Sequence, residues 1–524
     1  MKFRPLSGWA ALCLLILLIS PIALRAVRSQ GAPPKTNEQA SRPGEAERVL
    51  HFKQKRLPEG EVEIPAERYL KAYEQMREMS LYSTAQNRLL SSAESGAQAS
   101  WTELGPGNIG GRTRSLVIHP MDANVMFAGA ASGGVWKTTD GGASWKPLAN
   151  GLVNLGVNSL AIDPTNPNVI YAGTGEGYNN IGSIRGAGIF KTTDGGSSWK
   201  RLENTAGQDF NYVNDLVISP NDNQRIYAAT ATGVWRSLDG GANWSRTLEP
   251  ELRGGCSDLV IRTDQTADSL FASCSMVQQG AVYRNTDAAG AGSWAVVLQE
   301  TGMGRTSLAL APSNQNIVYA SAASQAYSNQ PGLFAVFRST NGGEANSWAA
   351  RVRGNDANKL NTVLFSWTLD AFRRICHLGP EFVYNTGWYA NSIAVDPLDP
   401  NRVWVGGVDM FRSDDGGANW GLASYSWLEA DQPQYSHAHH HRIVFHPQFD
   451  GANNKTMFVA GDGGVRKTED ARAAVATNAD APCDPGKSAV RWASLNQGYA
   501  ATQFVHGAPL PGGTSYIGGA QDQG

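Results

Sequence analysis

An octapeptide that recurs in phase restricts this chain to a repeat architecture. Thr138-Thr-Asp140-Gly-Gly-Ala-Ser-Trp145 returns as Thr192-Thr-Asp194-Gly-Gly-Ser-Ser-Trp199, as Ser237-Leu-Asp239-Gly-Gly-Ala-Asn-Trp244 and as Ser413-Asp-Asp415-Gly-Gly-Ala-Asn-Trp420. Weaker copies occupy Asn285 to Trp294, Ser339 to Trp348 (Asn341 replaces the aspartate) and Thr468 to Asp470. The octapeptide suits a tight hairpin. Asp140 can accept bonds from turn N–H groups, the two glycines permit positive φ, and Trp145 can fold back over the turn.

The segments between copies are strands. An apolar run ending in a Pro turn opens each unit: Ser115-Leu-Val-Ile-His-Pro120, Ser159-Leu-Ala-Ile-Asp-Pro164, Asp215-Leu-Val-Ile-Ser-Pro220, Ser307-Leu-Ala-Leu-Ala-Pro312, Ser392-Ile-Ala-Val-Asp-Pro397 and Arg442-Ile-Val-Phe-His-Pro447. A second strand such as Val169 to Gly173 follows, then a third such as Gly134 to Lys137 that runs into the octapeptide, then an outer segment. Four antiparallel strands at a period of about 45 to 55 residues are the pattern of a β-propeller blade. Apolar runs fit strands buried on both faces between stacked blades. The expected fold is therefore all-β: a seven-bladed propeller of four-stranded antiparallel blades over 101–496.

Ahead of it, Lys2 and Arg4 precede an apolar run from Trp9 to Leu24. That run is short for the ~20 residues of a membrane span, so 1–29 reads as a signal peptide or, if uncleaved, an N-terminal anchor. Cys13 sits mid-run and does not suit a lipoprotein signal. Residues 30–64 are polar with scattered Pro and read as a flexible linker. Residues 65–100 are a helical lead-in, with Tyr69, Leu70, Tyr73, Met76 and Met79 at helical spacing and expected to pack on the main domain. Lys+Arg 44 against Asp+Glu 46 gives a net charge of -2. Such a balance gives no electrostatic grip on nucleic acid, and membrane contact is expected only through an uncleaved N-terminal segment. Export permits disulfides, and Cys256 and Cys274 fall on neighbouring strands of one repeat, a plausible pair. Cys376 and Cys483 would need loops to meet.

The octapeptide resembles the Asp-box, or BNR repeat, of sialidases, sortilin-type receptors, xyloglucanase-type glycoside hydrolases and a photosystem II assembly factor. The phrases Trp101 to Arg112 and Ala172-Gly-Thr-Gly-Glu-Gly177 look like those of exported bacterial proteins labelled glycosyl-hydrolase BNR repeat or sortilin-like. The resemblance covers 101–524 and implies the fold much more strongly than an activity. Residues 497–524 start the repeat again and stop without an octapeptide. They read either as strands closing the ring or as the start of a further, truncated blade or propeller, and the two propellers of xyloglucanase-type relatives favour the second.

Four sets of polar residues are candidate sites. Asp140, Asp194, Asp239 and Asp415, with Trp145, Trp199, Trp244 and Trp420, are structural members of the Asp-box hairpins. His437, His439 and His441 would alternate onto one face of a strand and could ligate a metal, with Asp462 as an additional ligand. Arg112, Arg114 and Arg185 are expected at the channel mouth as ligand-binding groups. Glu176, Asp409, Asp462 and Asp522 are the carboxylates from which a glycosidase would draw its catalytic pair. A sialidase is disfavoured, because the Arg-Ile-Pro motif of that family does not occur. The expected function is an exported (periplasmic, cell-surface or extracellular) ligand-binding module that holds a glycan or protein at the propeller mouth. It requires no cofactor, a divalent metal being the one addition the histidines suggest. The alternatives are a xyloglucanase-like glycoside hydrolase and an assembly or secretion factor.

Overall fold

The computed structural model describes residues 66–91 and 107–520, apart from short internal stretches at 81, 84–85, 149–150, 153, 179–182, 252–253, 276–278, 327–330 and 511–514. The signal or anchor segment, the linker, Trp101 and Asp522 lie outside the described residues. Among the described residues, no helix is long and apolar enough to cross a membrane.

Seven four-stranded antiparallel sheets follow one another along the chain, each built from four consecutive strands. Blade one runs from Thr113 to Leu148, and blade seven from His440 to Ser494. The innermost strands contact each other in chain order, and that of blade seven returns to that of blade one, which closes the ring. The expected propeller is the fold observed. Its core lies between blades, in clusters such as Phe127, Leu160, Phe190 and Trp199 from blades one and two.

Innermost and second strands pair with a register shift in most blades, as between Thr113 and Ser115, Val157 and Ser159, and His440 and Arg442. A bulge of this kind turns an extra side chain toward the ring axis. Side chains there bond the backbone of the next blade. Asn158 Nδ2 donates to Asn214 O at 3.2 Å, and Asn214 Nδ2 to Cys256 O at 2.8 Å. The carboxylate of Asp215 accepts from Leu259 N at 3.1 Å, and that of Asp258 from Leu308 N at 2.7 Å.

The Asp-box hairpin is organised by its first hydroxyl. Thr138 Oγ1 donates to Asp140 Oδ1 at 2.7 Å and accepts from Gly142 N at 3.0 Å. Asp140 in turn accepts from Ser144 N and Ser144 Oγ. These bonds hold the exposed Asp140 carboxyl down to about 2. Gly141 and Gly142 have φ of 70° and 90°, so the turn uses the freedom glycine supplies. In blade five the hydroxyl of Ser339 still accepts from Gly343 N although Asn341 replaces the aspartate. The rings of Trp145, Trp199 and Trp420 are buried and that of Trp244 is half-buried, and Trp145 Nε1 reaches across the closing seam to Leu495 O at 2.7 Å.

Past blade seven the chain latches onto blade one. Tyr499 packs edge-on to Trp136 and tilted against Trp145, and its hydroxyl is 2.7 Å from Thr113 Oγ1. Thr502 Oγ1 donates to Ile109 O. Phe504–Pro509 and Tyr516–Ala520 then form a separate two-stranded hairpin with the register shift of the inner pairs, and it leaves Phe504, Tyr516 and Ile517 exposed. The lead-in contains the helix Ala66–Glu78, but Met76 and Met79, expected to be covered by the main domain, are exposed. Two disulfides are formed. Cys256–Cys274 joins paired positions on the first two strands of blade four, and Cys376–Cys483 ties the insertion between blades five and six to the last loops of blade seven.

Trp420 is fully buried and donates Nε1–H to Gly417 O within its own hairpin. Trp420→Ala should lower unfolding free energy by about 3–5 kcal/mol through loss of burial and the cavity left behind. Urea denaturation at neutral pH measures it.

Candidate functional site at the propeller mouth

Antiparallel pairing puts the start of each innermost strand beside the end of the second strand, as with Thr113 and Ala130 or His440 and Gly461. Residues just before the one and just after the other therefore gather at one end of the ring axis. Arg112 and Arg114 arrive there from blade one, Glu176 and Tyr178 from blade two, Arg305 from blade five, Tyr389 from the segment before blade six, and His441 and Asp462 from blade seven.

Two carboxylates organise this end. Glu176 accepts from Arg112 Nη1 at 2.8 and 2.9 Å and from Arg114 Nε at 2.6 Å, and Arg114 Nη2 also pairs with it. Asp462 accepts from the Tyr389 hydroxyl at 3.1 Å and lies 2.8 Å from His441 Nε2 and 3.1 Å from His439 Nδ1. The two halves are joined, because Arg114 Nη1 is 2.8 Å from His441 Nδ1. A guanidinium only donates, so Nδ1 must accept and the imidazole proton sits on Nε2, directed at Asp462. His441 is thus neutral in this network. Its pKa is pushed down to about 3 by burial and by the Arg114 charge. Asp462 is held well below the usual carboxylate range by its two imidazole partners, against the effect of its burial. Tyr389 is also stacked on by Arg114, 4.4 Å from its ring centre, and Arg305 lies 4.3 Å over the ring of Tyr178. Arg305 donates from Nη1 and Nη2 to the carbonyls of Tyr389 and Asn391.

Glu176 is 1 % exposed and Asp462 0 % exposed. Their oxygens are occupied by arginine, histidine and tyrosine donors, so neither is available to protonate a leaving group or to attack a sugar. Asp409 is equally buried, at 0 % exposed, and differs only in that its oxygens are not all occupied. It lies in the turn after the second strand of blade six, where Oδ1 accepts from Ser426 N at 2.8 Å and the buried Oδ2 has no hydrogen-bond partner. Burial pushes its carboxyl up to about 6, against the neighbouring Thr368 and Ser426 hydroxyls.

The expected alternation of His437, His439 and His441 does not form. The strand begins only at His440, and His439 has φ of 67°, a left-handed conformation that breaks the period of two. His439 and His441 converge on Asp462, whereas the His437 ring faces the carbonyl of Ala438 and His440 bonds Ser436. Among the described residues, no three His, Cys, Asp or Glu side chains are grouped to hold a metal. Arg112 and Arg114 belong to the cluster, while Arg185 is only half-buried, with its carbonyl accepting from Asn154 Nδ2. Sequence reasoning missed Tyr178, Arg305, Tyr389 and Gln503, the last accepting from Arg112 Nη2 at 2.7 Å. Arg305 and Tyr389 could have been found by reading back two or three residues from the serines that open the apolar runs.

The family model of the photosynthesis system II assembly factor YCF48, built on BNR repeats, matches residues 159–354, which are blades two to five. The match supports a BNR-type propeller family for this seven-bladed fold. No curated protein matches it. Among solved structures, the BNR propeller is similar to the GH74 xyloglucanase of Xanthomonas campestris, with TM-score 0.55 and 18% identity over 80% of this chain and 59% of that one. The GH74 enzyme of Niastella koreensis gives TM-score 0.54 and 17% identity over 79% of this chain and 58% of that one. The chain therefore spans less than three fifths of these two structures, and the likeness is one of fold. YCF48 bound to a D1 peptide aligns with TM-score 0.41 and 15% identity over 68% of this chain and 93% of that one.

Two consequences can be measured. Glu176→Gln leaves two buried guanidinium groups without their carboxylate and should cost about 3–5 kcal/mol of stability, read from the urea midpoint at pH 7. His440 and His441, both lowered to about 3 by burial, stay neutral while unfolded histidine takes a proton near pH 6.5. The stability they contribute is present above pH 6.5 and is lost as pH falls toward 3. The His441 ring resonances should accordingly show no titration between pH 8 and pH 5.

Proposed function

We propose that this BNR propeller is a binding module that operates outside the cytoplasm and holds an extended protein segment across its mouth. The observation that carries this reading is the saturation of Glu176 and Asp462 by buried donors, which leaves a rigid floor with no free carboxylate. Beside that floor stands the insertion between blades five and six, which exposes Trp367, Ile375, Leu378, Phe382, Val383 and Tyr384. Trp367 stands edge-on to His439, 5.5 Å between ring centres, so the insertion is continuous with the mouth. Aliphatic side chains mixed with aromatic ones favour apolar peptide side chains over a sugar, which prefers flat rings flanked by hydrogen-bonding groups. The Cys376–Cys483 bond pins this insertion to blade seven and would keep the surface organised before a ligand arrives.

A second reading, glycan hydrolysis, draws support from Asp409, whose raised carboxyl and unpartnered oxygen are properties of a general acid. The likeness in fold to the xyloglucanases is compatible with it and does not supply an activity.

The full-length protein should bind members of an array of apolar and aromatic peptides and leave xyloglucan and β-glucan chains intact. Phe382→Ser with Tyr384→Ser should weaken peptide binding about tenfold or more, as expected for interface anchors, with an unchanged melting temperature. Shortening of xyloglucan that disappears in Asp409→Asn would replace this reading with the hydrolase.

A further inference from the structure

The ring axis beneath the mouth encloses a cavity of about 480 Å³, within the range of small-molecule sites. Arg114, Tyr178, Arg305 and His441 close its upper end, and half-buried Ile162, Val260, Leu310 and Phe445 line its other end. Its two walls carry opposite chemistry.

On the wall of blades two to four, the lining side chains carry buried oxygens without partners. Asn158 and Asn214 are each 4 % exposed, and their amide nitrogens are held by backbone carbonyls of the next blade. That bonding fixes which end of each amide points away, and both Oδ1 atoms are buried with no hydrogen-bond partner. Ser257 Oγ, on the next blade, is buried and unpartnered too. Asp215 and Asp258 stand one position further along the same strands and line the same cavity. Asp258 is pushed up to about 8 by burial and by the neighbouring Asp215 carboxylate, so it keeps a proton at neutral pH unless a cation faces it. A buried acceptor without a donor costs free energy, and several on one wall of a cavity point to a donor-rich cation.

The opposite wall supplies a cation of the protein's own. Blade seven lies across the ring from blades three and four, because the innermost strands contact one another in chain order around seven blades. Its strand carries Arg442 in the position that Asp215 and Asp258 hold in theirs. Arg442 lines the cavity, is exposed, and makes no ion pair or side-chain hydrogen bond among the described residues. It acts on Asp258 electrostatically without a hydrogen bond or ion pair to it, so a gap separates the two side chains.

We propose that this channel is a binding site for a small zwitterion, which lays an ammonium group against Asp258 and the Asn158 and Asn214 oxygens and a carboxylate on Arg442. A molecule with both charges matches both walls, whereas a simple amine leaves Arg442 unmatched and a simple acid leaves the oxygen wall unmatched. The site is distinct from the mouth surface and stands whether or not that surface binds protein.

Calorimetric titration of the full-length protein with glycine, β-alanine, γ-aminobutyrate and 6-aminohexanoate tests it, with butylamine and butyrate as single-ended probes. One chain length should bind at least about tenfold more tightly than either single-ended probe, the scale of one lost charged hydrogen bond. Arg442→Met, at an exposed side chain, should reduce that amino acid to the level of butylamine. Asp258→Asn keeps an acceptor for Leu308 N and should also weaken binding about tenfold or more. Failure of all four amino acids to bind, equal binding of butylamine, or equal binding by Arg442→Met would overturn the proposal. None of these results bears on the rim, where Phe382→Ser with Tyr384→Ser should leave the channel affinity unchanged.

Discussion

The innermost strand of each blade is an edge strand, and everything at the centre of this molecule depends on how seven such edges are satisfied. An unpaired edge offers backbone N–H and C=O groups that must find partners when buried. Here side chains cross from blade to blade to meet them. Asn158 and Asn214 donate to carbonyls of the following blade, and Asp215 and Asp258 accept from its N–H groups. Ser307 and Ser392 do the same at blades five and six, donating to Asn391 O and His440 O. These residues must be short and polar, and in most blades they stand at or beside the bulge where the strand turns an additional side chain toward the axis. The result is an axial channel that is polar toward the mouth and apolar at its other end.

The same constraint builds the mouth. Where a strand begins, the bulge delivers larger side chains into the ring axis, and charged groups arrive from blades that are remote in sequence. Arg112 and Glu176 are 64 residues apart, and Arg114 and His441 are 327 apart. Burying such charges is tolerable only when each is matched and hydrogen-bonded. Two arginines share Glu176, and two histidines and a tyrosine share Asp462. The network holds blades one, two and seven together with the segment before blade six, and it also removes both carboxylates from chemistry. A floor of this kind suits recognition, which needs a fixed shape, better than proton transfer, which needs a group able to change its charge.

Legibility in the sequence differs by level. The hairpins could be read directly, since Thr138, Asp140, Gly141 and Gly142 interact within five residues of one another. The apolar runs and their Pro turns placed the innermost strands. The pairing of Cys256 with Cys274 followed from adjacent strands. Of the candidate carboxylates and arginines picked from strand ends, Arg112, Arg114, Glu176 and Asp462 are gathered at the axis. Their partners were not legible, because the partner of Glu176 depends on which blades meet at the axis. The histidines show the same limit: a period-two face assumed a strand through His437, while the positive φ of His439 and the later strand start redirect the rings. The lead-in helix formed as its periodicity implied, yet Met76 and Met79 stayed exposed, since amphipathicity does not name the surface that would cover it.

By itself, then, the sequence determined the repeating hairpin, the number of blades and the all-β class, because each rests on interactions a few residues long that recur in phase. Only the tertiary structure decided which charges neutralise each other, that Asp409 keeps an unpartnered oxygen while Glu176 and Asp462 do not, and that Arg442 faces Asp258 across the channel. Those outcomes depend on closing seven blades into a ring. Closure brings together residues whose separation along the chain carries no information about their distance in space.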